Sequence, residues 1–200
     1  MFATDNVIFE QKFRTAEGGT GQNTSINWFV NLPFNEGTLS ESGDLLDQVR
    51  IDYVSKLDPS DQKYYGTSRG TRGGNTVVVG SFAMEEGKPY FASAAGLRTN
   101  SSNLVLSFSD EAPALVTFDL SDGDNLVSLP LNTTLNTTED LCDSMNLANY
   151  QDSVTIWNPQ TQDTLSYLCG SGEDNQNVLP GEAYTVDPNV SISGPQWTQE

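Results

Sequence analysis

Apolar and polar positions alternate along many short stretches of this chain, which is the pattern of half-buried β-strands. Turn-forming Gly, Asn, Asp and Pro separate the stretches. The predicted strands are residues 7–13, 28–32, 53–57, 76–79 and 90–92, followed by 104–108, 115–120, 126–129, 153–157, 164–169, 184–186 and 191–197. Only two segments show helical spacing: Leu45 and Val49 are four positions apart, as are Leu141 and Met145. The pattern predicts a mainly β fold, a β-sandwich or partly open barrel with short helices.

The same order of sequence segments occurs twice along the chain. Leu32-Pro33-Phe34-Asn35 returns 97 positions later as Leu129-Pro130-Leu131-Asn132, and Gly87-Lys88-Pro89-Tyr90 returns as Gly181-Glu182-Ala183-Tyr184. A period near 100 residues indicates two similar domains rather than a solenoid of short units. We predict tandem β domains at 1–97 and 98–200, each with one short helix that Ser42 in the first and Thr137 or Thr138 in the second would cap.

Cys142 and Cys169 are the only cysteines. Cys142 aligns with Leu46 and Cys169 with Val79, so both cysteines replace apolar residues of the first copy. We therefore predict that the two positions meet in both copies, through a Leu46–Val79 contact in the first and a disulfide in the second. Closing 26 intervening residues would stabilise the fold by about 3 kcal/mol and imply an oxidising compartment. Two buried free thiols are the alternative.

Net charge is −18 and is unevenly distributed. Residues 1–97 hold 12 acids and 8 bases, whereas 98–200 hold 15 acids and 1 base. The second copy would therefore repel nucleic-acid phosphates and anionic lipids, so we predict no nucleic-acid partner. Two explanations of the acidity stay open: solubility, or attraction between copies of the chain. In the second, Lys63, Arg69 and Arg72 of a long loop would face the acidic half of a neighbour.

Few residues suggest chemistry. Histidine is absent, which removes the commonest general base and leaves any serine without its usual activator. Asp122-Gly123-Asp124-Asn125 and Glu173-Asp174-Asn175 could supply oxygen ligands for calcium, but a turn is the favoured interpretation. No apolar run reaches 18 residues, so no membrane insertion is expected. The start of the sequence lacks the features of a signal peptide, which fits either a mature chain or one that is not exported. We predict no catalytic residue, no metal and no cofactor, and hence no enzyme.

Surface chemistry offers two further candidates. Asn-x-Ser/Thr sequons mark potential glycosylation sites, although a polar β surface also accounts for them; they lie at Asn23, Asn100, Asn132, Asn136 and Asn189. The aromatic residues Trp28, Trp157, Trp197, Tyr64, Tyr65, Tyr90 and Tyr184 could form a sugar-stacking platform. Trp28 and Trp157 lie inside predicted strands and are expected in the core. Tyr64 and Tyr65, in the long loop, are the better surface candidates.

The second copy resembles a known type of module. Its pattern combines Asn125-Leu126-Val127-Ser128-Leu129-Pro130-Leu131, Asp140-Leu141-Cys142, Val154 with Trp157, Cys169-Gly170-Ser171-Gly172 and Pro180-Gly181-Glu182-Ala183-Tyr184. This resembles a β-rich repeated module of secreted and cell-surface proteins of bacteria and archaea. The resemblance covers about 60 residues of the second copy and implies a stalk or surface unit, with no catalytic residue.

Together these observations favour a structural subunit of an extracellular filament, sheath or surface layer that binds copies of itself head to tail. Exposed edge strands at 7–13 or 191–197 could make that contact by strand addition. The predicted interface residues are Lys63, Tyr64, Tyr65, Arg69 and Arg72. One alternative is a monomeric extracellular carbohydrate-binding or adhesion module that recognises glycans through Tyr64, Tyr65 and the basic loop around them. Another is a virion or decoration protein.

Overall fold

Antiparallel β-strands dominate the computed structural model, which describes residues 9–14, 24–30, 40–48, 51–95, 103–108, 116–129, 133–147, 150–158, 161, 163–189 and 196–199. The first half (residues 1–97) contains β1 (Phe9–Arg14), β2 (Thr24–Val30), α1 (Ser42–Gln48), β3 (Tyr53–Asp58), β4 (Lys63–Arg72), β5 (Asn75–Val79) and β6 (Pro89–Ala95). The second half (98–200) contains β7 (Asn103–Phe108), β8 (Val116–Asp119), β9 (Asn125–Ser128), α2 (Thr138–Ser144), β10 (Ser153–Asn158), β11 (Asp163–Leu168), β12 (Ala183–Asp187) and β13 (Gln196–Gln199). The fold is mainly β, as predicted.

These strands form two larger sheets and two ribbons. The first sheet has the order β2-β6-β3-β4-β5, and the second has the order β9-β12-β10-β11. The ribbons pair β1 with β7 and β8 with β13. The edges expected at 7–13 and 191–197 are therefore partly occupied within the chain, while residues 7, 8 and 191–195 lie outside the described residues.

The two larger sheets follow one plan. The neighbouring strands β2, β6, β3 and β4 of the first sheet correspond in order to β9, β12, β10 and β11 of the second. In each half the helix follows the first of these strands along the chain. Details recur as well. The buried Tyr90 hydroxyl accepts the backbone N–H of Glu85 at 2.8 Å, and the Tyr184 hydroxyl accepts that of Leu179 at 2.7 Å. Gly87 and Gly181, three residues before each tyrosine, both have φ near +75°, a conformation that favours glycine.

A helix covers the inner face of each sheet. In the first half Leu45 and Leu46 of α1 are fully buried, as is Val54 of β3. In the second half Leu141 of α2 packs with Val154 in the corresponding positions. Capping of α2 agrees with the prediction, because Thr137 and Asp140 form a reciprocal capping box. Ser42 is instead the first residue of α1, where its buried hydroxyl bonds to Thr67 and accepts the Phe82 N–H.

The predicted disulfide is present, but its counterpart in the first half is not the predicted one. Cys142 and Cys169 are bonded with their Cα atoms 5.7 Å apart, and both are fully buried. Val79, expected to touch Leu46 in the core, is 58% exposed on β5. The prediction of a Leu46–Val79 contact is wrong.

Strand register shows which residue corresponds to Cys169. The N–H of Cys169 bonds to the carbonyl of Asp152, and the N–H of Arg69 bonds to the carbonyl of Asp52 in the same way. Arg69 therefore occupies the position of Cys169. Its guanidinium donates to the Leu46 carbonyl and lies 3.2 Å from the Asp47 carboxylate, so it ties α1 to β4.

The segment around residues 63–74, which the sequence predicts to be a long loop, is mostly β-strand. Most of it is the ten-residue strand β4, which turns through Gly73 and Gly74 into β5. Both glycines have positive φ, +59° and +83°, as a two-residue hairpin turn requires. The extra residues of the first half thus extend β4 and add β5, after the position equivalent to Cys169 rather than before it.

Candidate functional site

An aromatic surface covers the outer face of the first sheet, opposite α1. Side chains alternate between the two faces of a strand, and register places Trp28 of β2 beside Phe91 of β6. On the same face, Tyr53 of β3 lies opposite Ser93. Tyr64 at the start of β4 completes the surface, with its ring 5.4 Å from that of Phe91. Four strands that are distant in sequence therefore supply one group of rings.

The rings enclose a cleft of about 590 Å³, lined by Trp28, Asp52, Tyr53, Ser55, Tyr64, Phe91, Ala92, Ser93, Trp157 and Thr164. Trp28 meets Phe91 edge to face, with centroids 5.5 Å apart. Trp28 also stacks nearly parallel to Trp157, with centroids 5.9 Å apart and an angle of 15°. Both arrangements are favoured by aromatic quadrupoles, which makes this wall of the cleft a fixed surface.

Trp157 reaches the cleft from the second half because the two halves are bonded nearby. The Gln62 side-chain amide donates to the carbonyl of Asp124 at 3.1 Å and accepts its N–H at 3.0 Å. Gly123, with φ +91°, permits this approach, since a Cβ there would lie 2.9 Å from the Gln62 amide. Lys88 adds a second contact, with its ammonium 4.2 Å from the centre of the Phe118 ring.

Polar groups line the floor of the cleft. Ser93 is only 7% exposed, and its hydroxyl has no hydrogen-bond partner among the described residues. Ser55 is also buried beside it, while Asp52 is half-buried and Thr164 is exposed at the rim. A buried hydroxyl without a partner is unfavourable, and a ligand that supplies one recovers that free energy. Ser93 is therefore an unsatisfied polar group at the floor of the cleft, and its hydroxyl oxygen is almost fully buried.

Two tyrosines shape the opening. Burial, and to a lesser degree the nearby Asp124 carboxylate, raises the pKa of Tyr64, which keeps its hydroxyl protonated as a donor. Tyr53 lies across β4 at Gly66, where a Cβ would fall 2.0 Å from the Tyr53 hydroxyl oxygen. Glycine at this position lets the Tyr53 ring rest on the strand.

The structure separates the residues that were predicted to form one interface. Tyr64 lines the cleft, whereas Tyr65 does not and donates its hydroxyl hydrogen to Asp61 at 3.1 Å. Lys63 pairs with the same Asp61 carboxylate at 2.9 Å. Arg69 is turned toward α1, and Arg72 is exposed near the hairpin turn.

The expectation that Trp28 and Trp157 lie in the core is wrong, because both are half-buried on the cleft wall. Tyr90 and Tyr184, considered for a sugar platform, are core residues. Burial raises the pKa of Tyr90 to about 12.

Two of the predicted glycosylation sites lie on the described surface. Asn136 and Asn189 are exposed, and their amides donate to Thr134 and Gln151 respectively. Asn23, Asn100 and Asn132 lie outside the described residues.

The acidic segment at 121–125 is a turn: the Asn125 amide donates to the carbonyls of Ser121 and Gly123. Within the described ranges, no group of three or more Cys, Asp or Glu side chains could hold a metal ion. Neither helix in those ranges is long and apolar enough to cross a membrane.

No family model, curated protein or solved structure matches the chain. The resemblance to a secreted surface module therefore stays a prediction, and the cleft is the feature from which a function can be argued.

Proposed function

We propose that this protein is an extracellular carbohydrate-binding or adhesion module whose ligand occupies the aromatic cleft. The observation that carries the proposal is the combination of a stacked tryptophan pair, Trp28 and Trp157, with the unpartnered, buried Ser93 hydroxyl. Fixed rings surrounding a few convergent polar groups are typical of small-molecule sites.

A saccharide suits this combination because it has two kinds of surface. The C–H face of a pyranose is apolar and can lie on an aromatic ring, while its hydroxyl edges both donate and accept hydrogen bonds. The cleft presents Trp28, Phe91 and Tyr64 to the first kind of surface. Ser55, Ser93 and Thr164 face the second. A wholly apolar ligand would fill the cleft and still leave the Ser93 hydroxyl unpaired.

Binding accounts for the cleft better than catalysis does. Glycosidases use two carboxyl groups across the scissile bond, and Asp52 is the single carboxylate among the lining residues that the structure describes. The Asp52 backbone N–H donates to the Ser93 carbonyl, and the Asp52 carbonyl accepts the backbone N–H of Arg69. These bonds fix the backbone of Asp52, so its carboxylate is a positioned acceptor at the rim. We therefore assign Asp52 to ligand recognition and propose no reaction.

A matched pair of tyrosine variants tests the proposal after a glycan array has identified a saccharide. Tyr64→Ala should weaken binding about 30-fold, the effect of losing roughly 2 kcal/mol of stacking. Tyr65→Ala removes a neighbouring exposed ring outside the cleft and should leave the affinity unchanged. Titration calorimetry measures both. An array without saccharide preference, or equal losses in the two variants, contradicts the proposal.

The proposed location is extracellular. The Cys142–Cys169 disulfide supports it, because structural disulfides persist in oxidising environments. We also infer that the two halves are tandem copies of one β unit. The shared strand order and the matching Tyr90 and Tyr184 hydrogen bonds support this inference.

A structural subunit of a filament, sheath or surface layer is the second candidate. The difference in charge between the halves favours it, because unlike faces on one chain can associate head to tail. Electron microscopy of the purified protein at high concentration is the direct test. Regular assemblies would support the candidate, and monomeric particles at every salt concentration would contradict it.

A further inference from the structure

β2 and β9 each form one edge of the two larger sheets, and β5 and β11 form the opposite edges, where each has an unpaired side. No described strand bonds to the outer side of either one. Each also exposes apolar side chains: Val78 and Val79 on β5, and Leu165 and Leu168 on β11. An edge with free backbone groups and exposed apolar residues is suited to pairing with another strand.

Register identifies the backbone groups that point outward. Arg72 and Asn75 flank the two-residue turn and form a hydrogen-bonded pair, and such pairs alternate along an antiparallel ladder. On β5 the N–H and C=O of Thr76 and Val78 therefore face away from β4. On β11 the bond from the Cys169 N–H to the Asp152 carbonyl sets the same alternation. Thr164, Ser166 and Leu168 consequently face away from β10.

Charge distinguishes pairing between unlike edges from pairing between like edges. From Lys63 to Met84 the first half contains three bases and no acid. Lys63 and Arg69 pair with Asp61 and Asp47, and Arg72 is the exposed base that lies beside β5 at the hairpin turn. The second half holds 15 acids and a single base, Arg98. Two β5 edges would bring basic hairpins together and two β11 edges would bring acidic halves together, so each like pairing is repulsive. A β5 edge against a β11 edge is attractive.

We propose that β5 of one copy pairs in an antiparallel manner with β11 of a second copy. The contact is heterologous and leaves one free edge at each end, so it can propagate into a filament. This inference rests on the structural-subunit candidate and does not require a ligand in the cleft, although Thr164 of β11 lies at the cleft rim. It replaces the edges at 7–13 and 191–197 that the sequence favoured.

Two proline variants of the full-length protein test the pairing. Val78→Pro and Ser166→Pro each remove one outward N–H, at edge positions where proline does not interrupt the bonds to β4 or β10. Wild-type protein should form species larger than dimers as concentration rises in sedimentation velocity. Each variant alone should stop at the monomer. An equimolar mixture should form dimers and nothing larger, because each partner retains one competent edge.

Val78→Ile and Ser166→Thr are matched controls, since both keep the N–H and should assemble like wild type. Near-ultraviolet circular dichroism checks that the proline variants are folded. Arg72→Glu leaves every backbone group in place and should also shift the protein toward monomer at low salt. Surface charges are screened beyond a Debye length of about 8 Å at 0.15 M, so high salt should reduce that difference.

Three results would overturn the inference. They are a monomeric wild type, a proline variant that assembles normally on its own, and a mixture that yields no dimer. The first also removes the structural-subunit candidate. The other two leave that candidate standing with a different interface.

Discussion

The two halves have similar core residues on the inner face of their larger sheets and different residues on the outer face. Val54 and Val154 are fully buried at the same place in each half. Phe91 and Thr185 directly follow the corresponding core tyrosines Tyr90 and Tyr184. Phe91 belongs to the aromatic cleft, whereas Thr185 is half-buried and has no aromatic ring. The partner of Phe91 across the sheet is Trp28, whereas the partner of Thr185 is Leu126. Core positions maintain the fold, while the outer face is free to acquire a site.

The bond that joins the helix to the neighbouring strand also differs between the halves. In the second half the Cys142–Cys169 bond joins α2 to the end of β11. In the first half the Arg69 guanidinium joins β4 to the Leu46 carbonyl and the Asp47 carboxylate of α1. One half uses a covalent bond and the other a charge-assisted hydrogen bond at the same place. Variants of both halves test these differences, and their expected effects decrease from the disulfide to Gly66.

Removing the covalent tie should have the largest effect. The double substitution Cys142→Ala and Cys169→Ala should lower the free energy of unfolding by about 3 kcal/mol, because the unfolded chain regains the freedom of a long loop. Urea denaturation followed by circular dichroism measures the change. A loss below about 1 kcal/mol would show that the bond is incidental to stability.

Removing the Arg69 hydrogen bond to α1 should lower the free energy of unfolding by less than removing the disulfide. Arg69→Ala should lower the free energy of unfolding by about 1–2 kcal/mol, since a hydrogen bond to a charged group is lost from a partly buried site. The same denaturation experiment applies, with Arg72→Ala as the control at an exposed position. Equal effects of the two arginine substitutions would refute the role assigned to Arg69.

The helix caps offer a pH-dependent comparison. The backbone N–H groups of Asn136 and Thr137 donate to the Asp140 carboxylate, which lowers the pKa of that group. A lowered folded-state pKa contributes stability above the unfolded value, about 3.9, and that contribution is lost as pH falls through the folded value. Asp140→Asn should therefore cost about 0.3–1 kcal/mol at pH 7, since solvent screens a carboxylate this near the surface, and almost nothing in strong acid. Thermal melting from pH 2 to pH 7 measures this difference.

Asp143→Asn, an exposed position in the last turn of α2, is the control for that series and should show no comparable loss at neutral pH. Asp44 caps α1 with a single backbone contact, from the Glu41 N–H. Asp44→Asn should therefore cost less than Asp140→Asn. The reverse order would contradict the cap comparison.

The smallest effect is expected at Gly66. Ser166 occupies the equivalent place in the second half, and Ser153 there takes the place of Tyr53. Gly66→Ala should push the Tyr53 ring off β4 and weaken saccharide binding by roughly threefold, a change of under 1 kcal/mol. Calorimetry with the saccharide identified on the array measures it. Unchanged affinity would remove Tyr53 from the proposed site.

Sequence pattern predicted the elements well and their spatial neighbours less well. The mainly β class, both helices and the disulfide follow from alternation and from the repeat, since turn glycines and core tyrosines keep their spacing. The Gly-Ser that follows both Cys169 and Val79 aligns these two positions in the sequence, but the similarity is confined to three residues. That alignment hid the added hairpin and the role of Arg69.

The cleft could not be predicted for a different reason. Alternation separates the two faces of a strand but does not say which face a helix will cover. Trp28 and Trp157 therefore looked like core residues. Their neighbours come from β3, β4 and β6, which are brought together only by the strand order. Tyr64 was identified as a surface candidate because it lies beside charged residues, and that signal was correct for its exposure.

Engineered cysteines test the correspondence between the halves most directly. If Leu46 and Arg69 occupy the places of Cys142 and Cys169, the double variant Leu46→Cys and Arg69→Cys should form a second disulfide. Peptide mapping by mass spectrometry would then find residues 46 and 69 linked, while the matched variant Leu46→Cys and Val79→Cys should keep two free thiols. A 46–79 bond, or no bond in the first variant, would contradict the shared plan of the two halves.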